Sequence, residues 1–253
     1  MLKFKTMLIL LVTMSIYSGN AVASPTSQVV KDRSYYEERG DIVWEVPTQK
    51  KTIAFTFDDG PDRKQTPKIL EVLDQYQAKA TFFVVGERVE RFPEIVKLVL
   101  SKGHEVGNHS FYHPSFQNIS KEKAVNEIGK TQQAILKATG HTAVLFRPPG
   151  GSYDQNIINV SKQNNLQLIL WSWHQDTKDW RAPGVQRIAN KVLKNVRNGD
   201  IILMHDYVYN SSQTSEALKI ILPELKKQGY SFVTVSQLLS QKDNPNTHIK
   251  VTQ

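Results

Sequence analysis

From Thr52 onward, short apolar runs alternate with amphipathic stretches over most of the chain. The apolar runs are Thr52–Phe57, Ala80–Val85, His104–Gly107, Ala143–Phe146, Leu166–Trp171, Asp200–Met204 and Ser231–Thr234. Most are rich in Val, Ile and Phe and short enough to be buried parallel strands. Helical patterns fill the gaps. Thr66 can cap a helix with Pro67 at its first position, and Ile69, Leu70, Leu73 and Tyr76 form its apolar stripe. Pro93 opens another, whose Ile95, Val96, Val99 and Leu100 face inward and which Gly103 ends. Ser120 starts a third, stopped by Gly140; Asp154 caps a fourth; weaker patterns cover Gln186–Val196 and Ser215–Lys227. Repeated strand–helix units predict a parallel α/β architecture. The seven runs favour a closed or incompletely closed barrel, with an open doubly wound sheet as the alternative.

The flanks read differently. Residues 24–50 are polar, with Tyr35, Tyr36 and Trp44 as their only sizeable apolar anchors, and are expected to form an N-terminal extension packed on a main domain spanning 51–240. Residues 1–23 have the pattern of a signal peptide: Lys3 and Lys5, an apolar stretch from Met7 to Tyr17, then Ala21-Val22-Ala23 as a small-x-small cleavage site. The apolar stretch is short for a bilayer span, so cleavage near Ala23 and export are expected over a retained membrane anchor. Residues 241–253 are polar without periodicity, a C-terminal tail.

Composition narrows the chemistry. The chain has 253 residues, 40% of them apolar, which one α/β barrel can accommodate. It has no Cys, so disulfides, a thiolate nucleophile and thiolate metal ligands are excluded, and any metal must be held by His and carboxylate. The formal charge of +8 falls to +6 if Lys3 and Lys5 leave with the signal peptide. A basic exported protein suits an anionic surface such as a bacterial wall, although solubility alone accounts for the charge equally well. No Lys/Arg-rich run or aromatic–basic interleaving points to nucleic acid.

In parallel α/β folds the working residues lie just past the C-terminal ends of strands. Asp58 and Asp59 follow the first run, His109 and His113 the third, Arg147 the fourth, Asp176–Trp180 the fifth and His205 the sixth. Every polar constellation of note is therefore expected at one face. Asp58-Asp59-Gly60-Pro61 alone reads as a turn. Adjacent strand residues also point to opposite faces, so both carboxylates can serve one site only if the strand is already breaking at Asp58, which Gly60-Pro61 permits. Two close carboxylates repel unless a cation neutralises one, which would leave the other as a base. His109 and His113, one helical turn apart in sequence, can place both rings on one side. Two imidazoles and one carboxylate with open positions suit Zn²⁺ in a hydrolytic site, although Co²⁺, Mn²⁺ or Fe²⁺ could bind the same set.

Five ordered motifs then converge on a family. Thr56-Phe57-Asp58-Asp59-Gly60-Pro61, His109-Ser110-x-x-His113, Arg147-Pro148-Pro149-Gly150-Gly151, Asp176-Thr177-Lys178-Asp179-Trp180 and Leu203-Met204-His205 resemble the NodB-type polysaccharide deacetylases, carbohydrate esterase family 4. The resemblance implies a distorted (β/α) barrel and metal-dependent removal of acetyl groups from N-acetylated sugars. It implies Asp59, His109 and His113 as ligands of one divalent metal ion and Asp58 as catalytic base, oriented by Arg147. His205 is the implied general acid and Asp179 the carboxylate that keeps it protonated; Trp180 and Leu203 are implied walls of the acetyl pocket. One position departs: the family commonly has Tyr where this chain has Gly150. Gly can still donate the backbone N–H attributed to that position, toward the oxyanion, but the lost ring would have walled the groove; Tyr153 is a candidate substitute. Peptidoglycan N-acetylglucosamine is the first expected substrate, chitooligosaccharide the second and O-acetylated xylan the third. A non-catalytic wall-glycan-binding module is the competing class, disfavoured because Asp58 and His205 are both present.

Overall fold

Strand β2, Thr52–Asp58, is buried along its whole length and pairs on both sides, so its uncharged run up to Asp58 meets the demand of a doubly covered strand. The computed structural model describes residues 31–209, 211 and 213–242. In chain order the elements begin with α1 (Arg33–Glu38), β1 (Ile42–Val43), β2, α2 (Gln65–Gln75), β3 (Ala80–Val84), α3 (Gly86–Arg91), α4 (Pro93–Ser101) and β4 (Glu105–Asn108). There follow α5 (Lys121–Thr139), β5 (Leu145–Phe146), α6 (Gln155–Gln163), β6 (Gln167–Ile169) and α7 (Val185–Leu193). The last are β7 (Ile201–His205), α8 (Gln213–Lys227), β8 (Ser231–Phe232) and α9 (Val235–Leu239).

Seven parallel strands, ordered β1-β6-β5-β4-β3-β2-β7, curl into a half-barrel, and β8 pairs with the first residues of β2. The barrel reading therefore holds over the open doubly wound sheet. Between β7 and β1 there is no regular ladder. A seam of irregular contacts joins them instead: Glu45 bridges Asp200, and the Val46 N–H donates to the Gly199 carbonyl at 2.9 Å. The two-residue alternation sorts the strand side chains. Ile53, Phe55 and Phe57 pack outward in the large cluster that includes Leu70 and Leu73 of α2 and Leu218 and Leu222 of α8. Ala54 packs in a smaller cluster with Phe83, Leu145, Ile169 and Ile201, capped from below by Val235 and Leu238 of α9.

The helix signals are mostly where expected. Ser120 caps α5 by accepting the Lys123 N–H at 3.2 Å, Asp154 caps α6 through the Ile157 N–H at 2.8 Å, and Pro93 stands in the first turn of α4. Gly140 ends α5 with φ +78°, a conformation that Gly adopts without a Cβ penalty. Thr66 does not cap α2. That helix starts at Gln65, and the Asp62 carboxylate accepts the N–H groups of Lys64 and Gln65. The Thr66 hydroxyl is instead drawn inward to Asp206. Thr234, expected at a strand end, caps α9 in a reciprocal box with Gln237.

Four elements were not among those predicted: α1, the two-residue β1, the six-residue α3 and α9. β1 lies in the segment read as an extension, pairs with β6, and is followed by the buried Trp44 and Val46. The expected signal peptide and residues 243–253 of the tail lie outside the described residues. Among the described residues no helix is long and apolar enough to cross a membrane.

Gly199 controls the seam. It has φ +80°, and a Cβ there would sit 1.8 Å from the Val46 carbonyl oxygen. Gly199→Ala is expected to lower the thermal midpoint, with a cost of at least about 1–2 kcal/mol from backbone strain alone. A melting curve unchanged by the substitution would mean that the seam adds nothing to stability.

Candidate active site

The strand register brings the site together. Asp58 pairs with Phe83 on one side and His205 on the other, Val84 with Asn108, and Asn108 with Phe146. These rungs end the strands at one level, so Asp59, His109 and Arg147 leave the sheet at the same rim. Asp58, Asp59, His109, His113, Gly150, Trp180, Leu203 and His205 line one cavity of about 370 Å³, together with Trp171 and Asp176. Arg147 and Asp179 are fully buried behind it, each bonded to one of its lining residues.

The break at the end of β2 comes one residue later than the alternation argument asked. Asp58 is the last strand residue; Asp59, at φ +76°, turns the backbone so that both carboxylates reach the cavity. Asp58 Oδ1 accepts from Arg147 Nη1 at 2.8 Å. Asp59 Oδ1 is buried and receives no hydrogen bond, although His113 Nε2 lies 3.1 Å away and His109 Nε2 3.4 Å. Burial pushes the Asp59 carboxyl up, but the two facing imidazoles outweigh it and hold the group well below the usual carboxylate range.

The two histidines are not on a helix, as their spacing had suggested. The segment after β4 is an irregular loop with Ser110 at φ +65° and His113 at φ +53°. Its shape is held from outside: buried Glu127 of α5 accepts the N–H groups of Phe111 at 2.9 Å and Tyr112 at 2.8 Å. His109 Nδ1 lies 2.7 Å from the Arg147 carbonyl oxygen. A carbonyl can only accept, so Nδ1 carries a proton, and Nε2 is the ring nitrogen turned to the Asp59 side and left for a cation. An unpartnered carboxylate oxygen, one imidazole oriented through its Nδ1 and a second imidazole, with ligand atoms within 4.8 Å of one another, fit a divalent cation.

A second such group, Glu45, His174 and Asp200, lies at the seam. There His174 Nε2 bonds Asp200 at 2.9 Å, and Glu45 pairs with Arg33 at 3.0 Å. Existing partners satisfy those carboxylates, so the cluster closes the fold instead of offering free ligands.

The acid side is equally organised. Asp179 Oδ1 lies 2.7 Å from His205 Nδ1, and Asp179 Oδ2 accepts the His205 backbone N–H at 2.8 Å and the Thr214 hydroxyl at 2.7 Å. Burial lowers the His205 imidazolium, but the Asp179 carboxylate more than offsets this and pushes its pKa up to about 9. Arg147, wholly buried, has its proton affinity lowered by burial while Asp58 raises it; a guanidinium remains charged under these conditions. Three more of its five donors are used: Nη1 also reaches Thr56 Oγ1 at 2.8 Å, Nη2 the Leu170 carbonyl at 2.8 Å and Nε the Ile169 carbonyl at 3.3 Å.

Tyr153 does not take the place of a ring at position 150. It packs edge-on against Tyr36 and Trp44, with centroids 5.4 and 5.7 Å away, in an adjoining recess. Sequence reasoning also missed Thr56, Glu127, Thr214 and Asp206. Asp206 is buried, accepts the Thr66 hydroxyl at 2.6 Å and lies against Gly60, where a Cβ would come 2.1 Å from its carboxylate. Burial pushes that carboxyl up to about 7. Only its place directly after His205 could have drawn attention to it.

A profile of the polysaccharide deacetylase family matches residues 45–169. A protein of Bacillus cereus named peptidoglycan-N-acetylglucosamine deacetylase is 50% identical over 210 residues, covering 83% of this chain and 98% of its own length. The crystal structure of the Bc1960 peptidoglycan N-acetylglucosamine deacetylase superposes with a TM-score of 0.77 at 34% identity, over 85% of this chain and all (100%) of that one. That of BA3943 from Bacillus anthracis, described as a CE4 family pseudoenzyme, superposes with a TM-score of 0.74 at 30% identity, over 80% of this chain and 70% of that one.

Removing Arg147 would leave a carboxylate buried without its countercharge. Arg147→Met is expected to cost about 3–5 kcal/mol in denaturant unfolding. Adding Asp58→Asn should recover part of the loss; equal destabilisation in the single and double variants would show that the pair is not coupled.

Proposed function

The chain belongs to the polysaccharide deacetylase (CE4) family, hydrolases of the N-acetyl amide bond, and from that premise we propose that it removes acetyl from N-acetylglucosamine units of peptidoglycan. The observation that carries the reading is the convergence at one rim of a buried base, a cation cradle and a carboxylate-backed imidazole. Supporting the wall glycan over bare chitooligosaccharide or acetylated xylan are the name of the B. cereus relative and the basic charge, +8 for the full chain and +6 without Lys3 and Lys5, which suits an anionic wall. The basic–apolar–small pattern of residues 1–23 supports export with cleavage near Ala23. Since one fold neighbour is described as a pseudoenzyme, fold alone does not argue for catalysis. The retained Asp58 and His205 do.

Asp59, His109 and His113 would hold the cation, Zn²⁺ being the first candidate for two imidazoles and one carboxylate, with Co²⁺, Mn²⁺ and Fe²⁺ as alternatives. The chemistry such an ion supplies when bound is Lewis acidity toward water and toward the acetyl carbonyl oxygen. Asp58 takes the proton of the attacking water, and Arg147 holds the Asp58 carboxylate in place and compensates its charge. The Gly150 N–H is the candidate donor to the oxyanion, a role typically contributing about 3 kcal/mol. His205, held protonated by Asp179, delivers its proton to the nitrogen of the leaving amine so that the C–N bond can break. Leu203 and Trp180 wall the acetyl methyl. The products are acetate and a glucosamine unit.

Asp58→Asn is expected to retain bound metal, measured by elemental analysis, while acetate release from peptidoglycan falls about 10²–10⁴-fold, the range for loss of a general base. A variant with parental turnover would refute the role. Chelation of the parent should abolish release and one equivalent of divalent metal restore it.

The pH dependence follows from His205. Its raised pKa favours the protonated, working form, so activity is lost as pH rises through the pKa of the folded protein, about 9. A cation at Asp59 opposes the imidazolium, placing the alkaline limb of kcat/KM at or below that value. Asp179→Asn removes the group that raises it and should move the limb to lower pH. An unmoved limb would assign it to another group.

A further inference from the structure

Helix α7 and its two flanking turns carry nearly all of the protein's excess positive charge. Of the net +6 that remains without Lys3 and Lys5, +5 lies in residues 181–199, which hold Arg181, Arg187, Lys191, Lys194 and Arg197 and no acidic residue. The rest of the chain is close to neutral. On the neighbouring α8, by contrast, Lys219 pairs with Glu216 at 2.8 Å and Lys227 with Glu224 at 3.8 Å. Among the described residues no carboxylate pairs with Arg187, Lys191, Lys194 or Arg197. Periodicity aims these cations away from the core. Ile188, Ala189 and Val192 are the buried face of α7, which packs on α8. Arg187, Lys191 and Lys194 recur every three or four residues on the opposite side; Arg187 and Lys194 are exposed, as is Arg197 beyond the helix end. Neighbours in such a row stand about 5–6 Å apart, within the Debye length of about 8 Å at physiological salt, so their fields add. The row also costs the helix stability. Like charges at these spacings repel, and Arg187 stands in the first turn, where the helix dipole favours an acid. Solubility alone does not ask for this, since interspersed carboxylates would relieve both costs.

We propose that this face of α7 is a docking surface for a linear phosphodiester polymer without bases, a polyol phosphate chain, laid along the helix with successive phosphates on Arg187, Lys191, Lys194 and Arg197. Charge complementarity carries the assignment. Lysine binds phosphate as a point charge and arginine as a planar fork, and a row of both fits a chain whose charge repeats. Between them stand the amides Gln186, Asn190 and Asn195, which suit hydroxyls. Residues 185–199 hold no aromatic ring on which a base could stack, so a nucleic acid is the poorer fit. None of the four cations lines the catalytic cavity, so the surface goes beyond the deacetylase reading and does not need it.

The test is titration of metal-loaded protein with poly(glycerol phosphate), with poly-L-glutamate and oligothymidylate as comparison polyanions, at about 50 and 200 mM salt. The phosphate polymer is expected to bind more tightly than either comparison and to weaken as salt rises, because bound counterions are displaced. The triple variant Arg187→Gln, Lys191→Gln, Lys194→Gln should weaken it about tenfold or more and flatten the salt dependence. Gln keeps the helix propensity, so the thermal midpoint of this variant should lie at or above the parent's, the repulsion being relieved. Its acetate release from chitotetraose should be unchanged. A charge-matched control on α5, Lys121→Gln, Lys123→Gln, Lys137→Gln, should lose little affinity for the polymer. Equal losses in the two triple variants would overturn the proposal, because net charge would then be the whole attraction. So would a parent that does not bind the polymer, or that binds either comparison polyanion as tightly. A fall in acetate release in step with polymer affinity would likewise overturn it and give the face to the substrate glycan.

Discussion

Arg147 and Asp58, meeting at 2.8 Å with both side chains buried, form the interaction on which the site depends. A guanidinium wholly removed from water is costly unless its donors are met. Here one carboxylate, one hydroxyl and two main-chain carbonyls meet four of them, and the Phe83 ring lies 4.2 Å from its carbon. The same residue turns outward through its backbone, because its carbonyl fixes the tautomer of His109. One residue at the end of a two-residue strand thus sets the orientation of the base and of a metal-ligand candidate together. Either function alone would tolerate some slack; coupling them through the side chain and the backbone of one buried residue removes it.

The rim as a whole shows how a parallel barrel converts register into chemistry. None of the strand-end side chains is adjacent in sequence to its partner in the site except Asp58 and Asp59. The ladder equates Asp58 with His205 across one pair and with Phe83 across the other, and that equality is set by backbone hydrogen bonds remote from the reacting groups. Asp179 then anchors His205 twice, by ring and by backbone. Such double anchoring keeps an imidazole both charged and aimed, which a single surface contact would not.

The open side of the barrel is served by the N-terminal segment. β1 extends the sheet beyond β6, and the chain after it crosses to β7 at Gly199 and Asp200. Trp44 buried in that crossing supports Tyr153 and so the recess beside Gly150. Gly150 and the packing of the N-terminal residues are therefore parts of one local arrangement.

Much was legible along the chain because it depends on local pattern. Apolar runs and capping residues locate most strands and helices to within a residue or two, and the five motifs place the ten candidate site residues at or beyond the C-terminal halves of the strands. The rest depended on contacts between distant residues. β1 is two residues long, too short for any periodicity, and exists because the edge of β6 offers it hydrogen bonds. Thr66 reads as a cap but serves Asp206, and the histidine pair reads as helical but is shaped by Glu127 from another element. Tyr153, close to Gly150 in sequence, is drawn away by Tyr36 and Trp44. The sequence by itself determined which side chains are available and at which strand ends they lie, since both follow from nearest-neighbour preferences. Only the tertiary structure decided which of them meet, because a burial cost or an unpaired polar group is set by whatever packs across the barrel, and no local pattern records that.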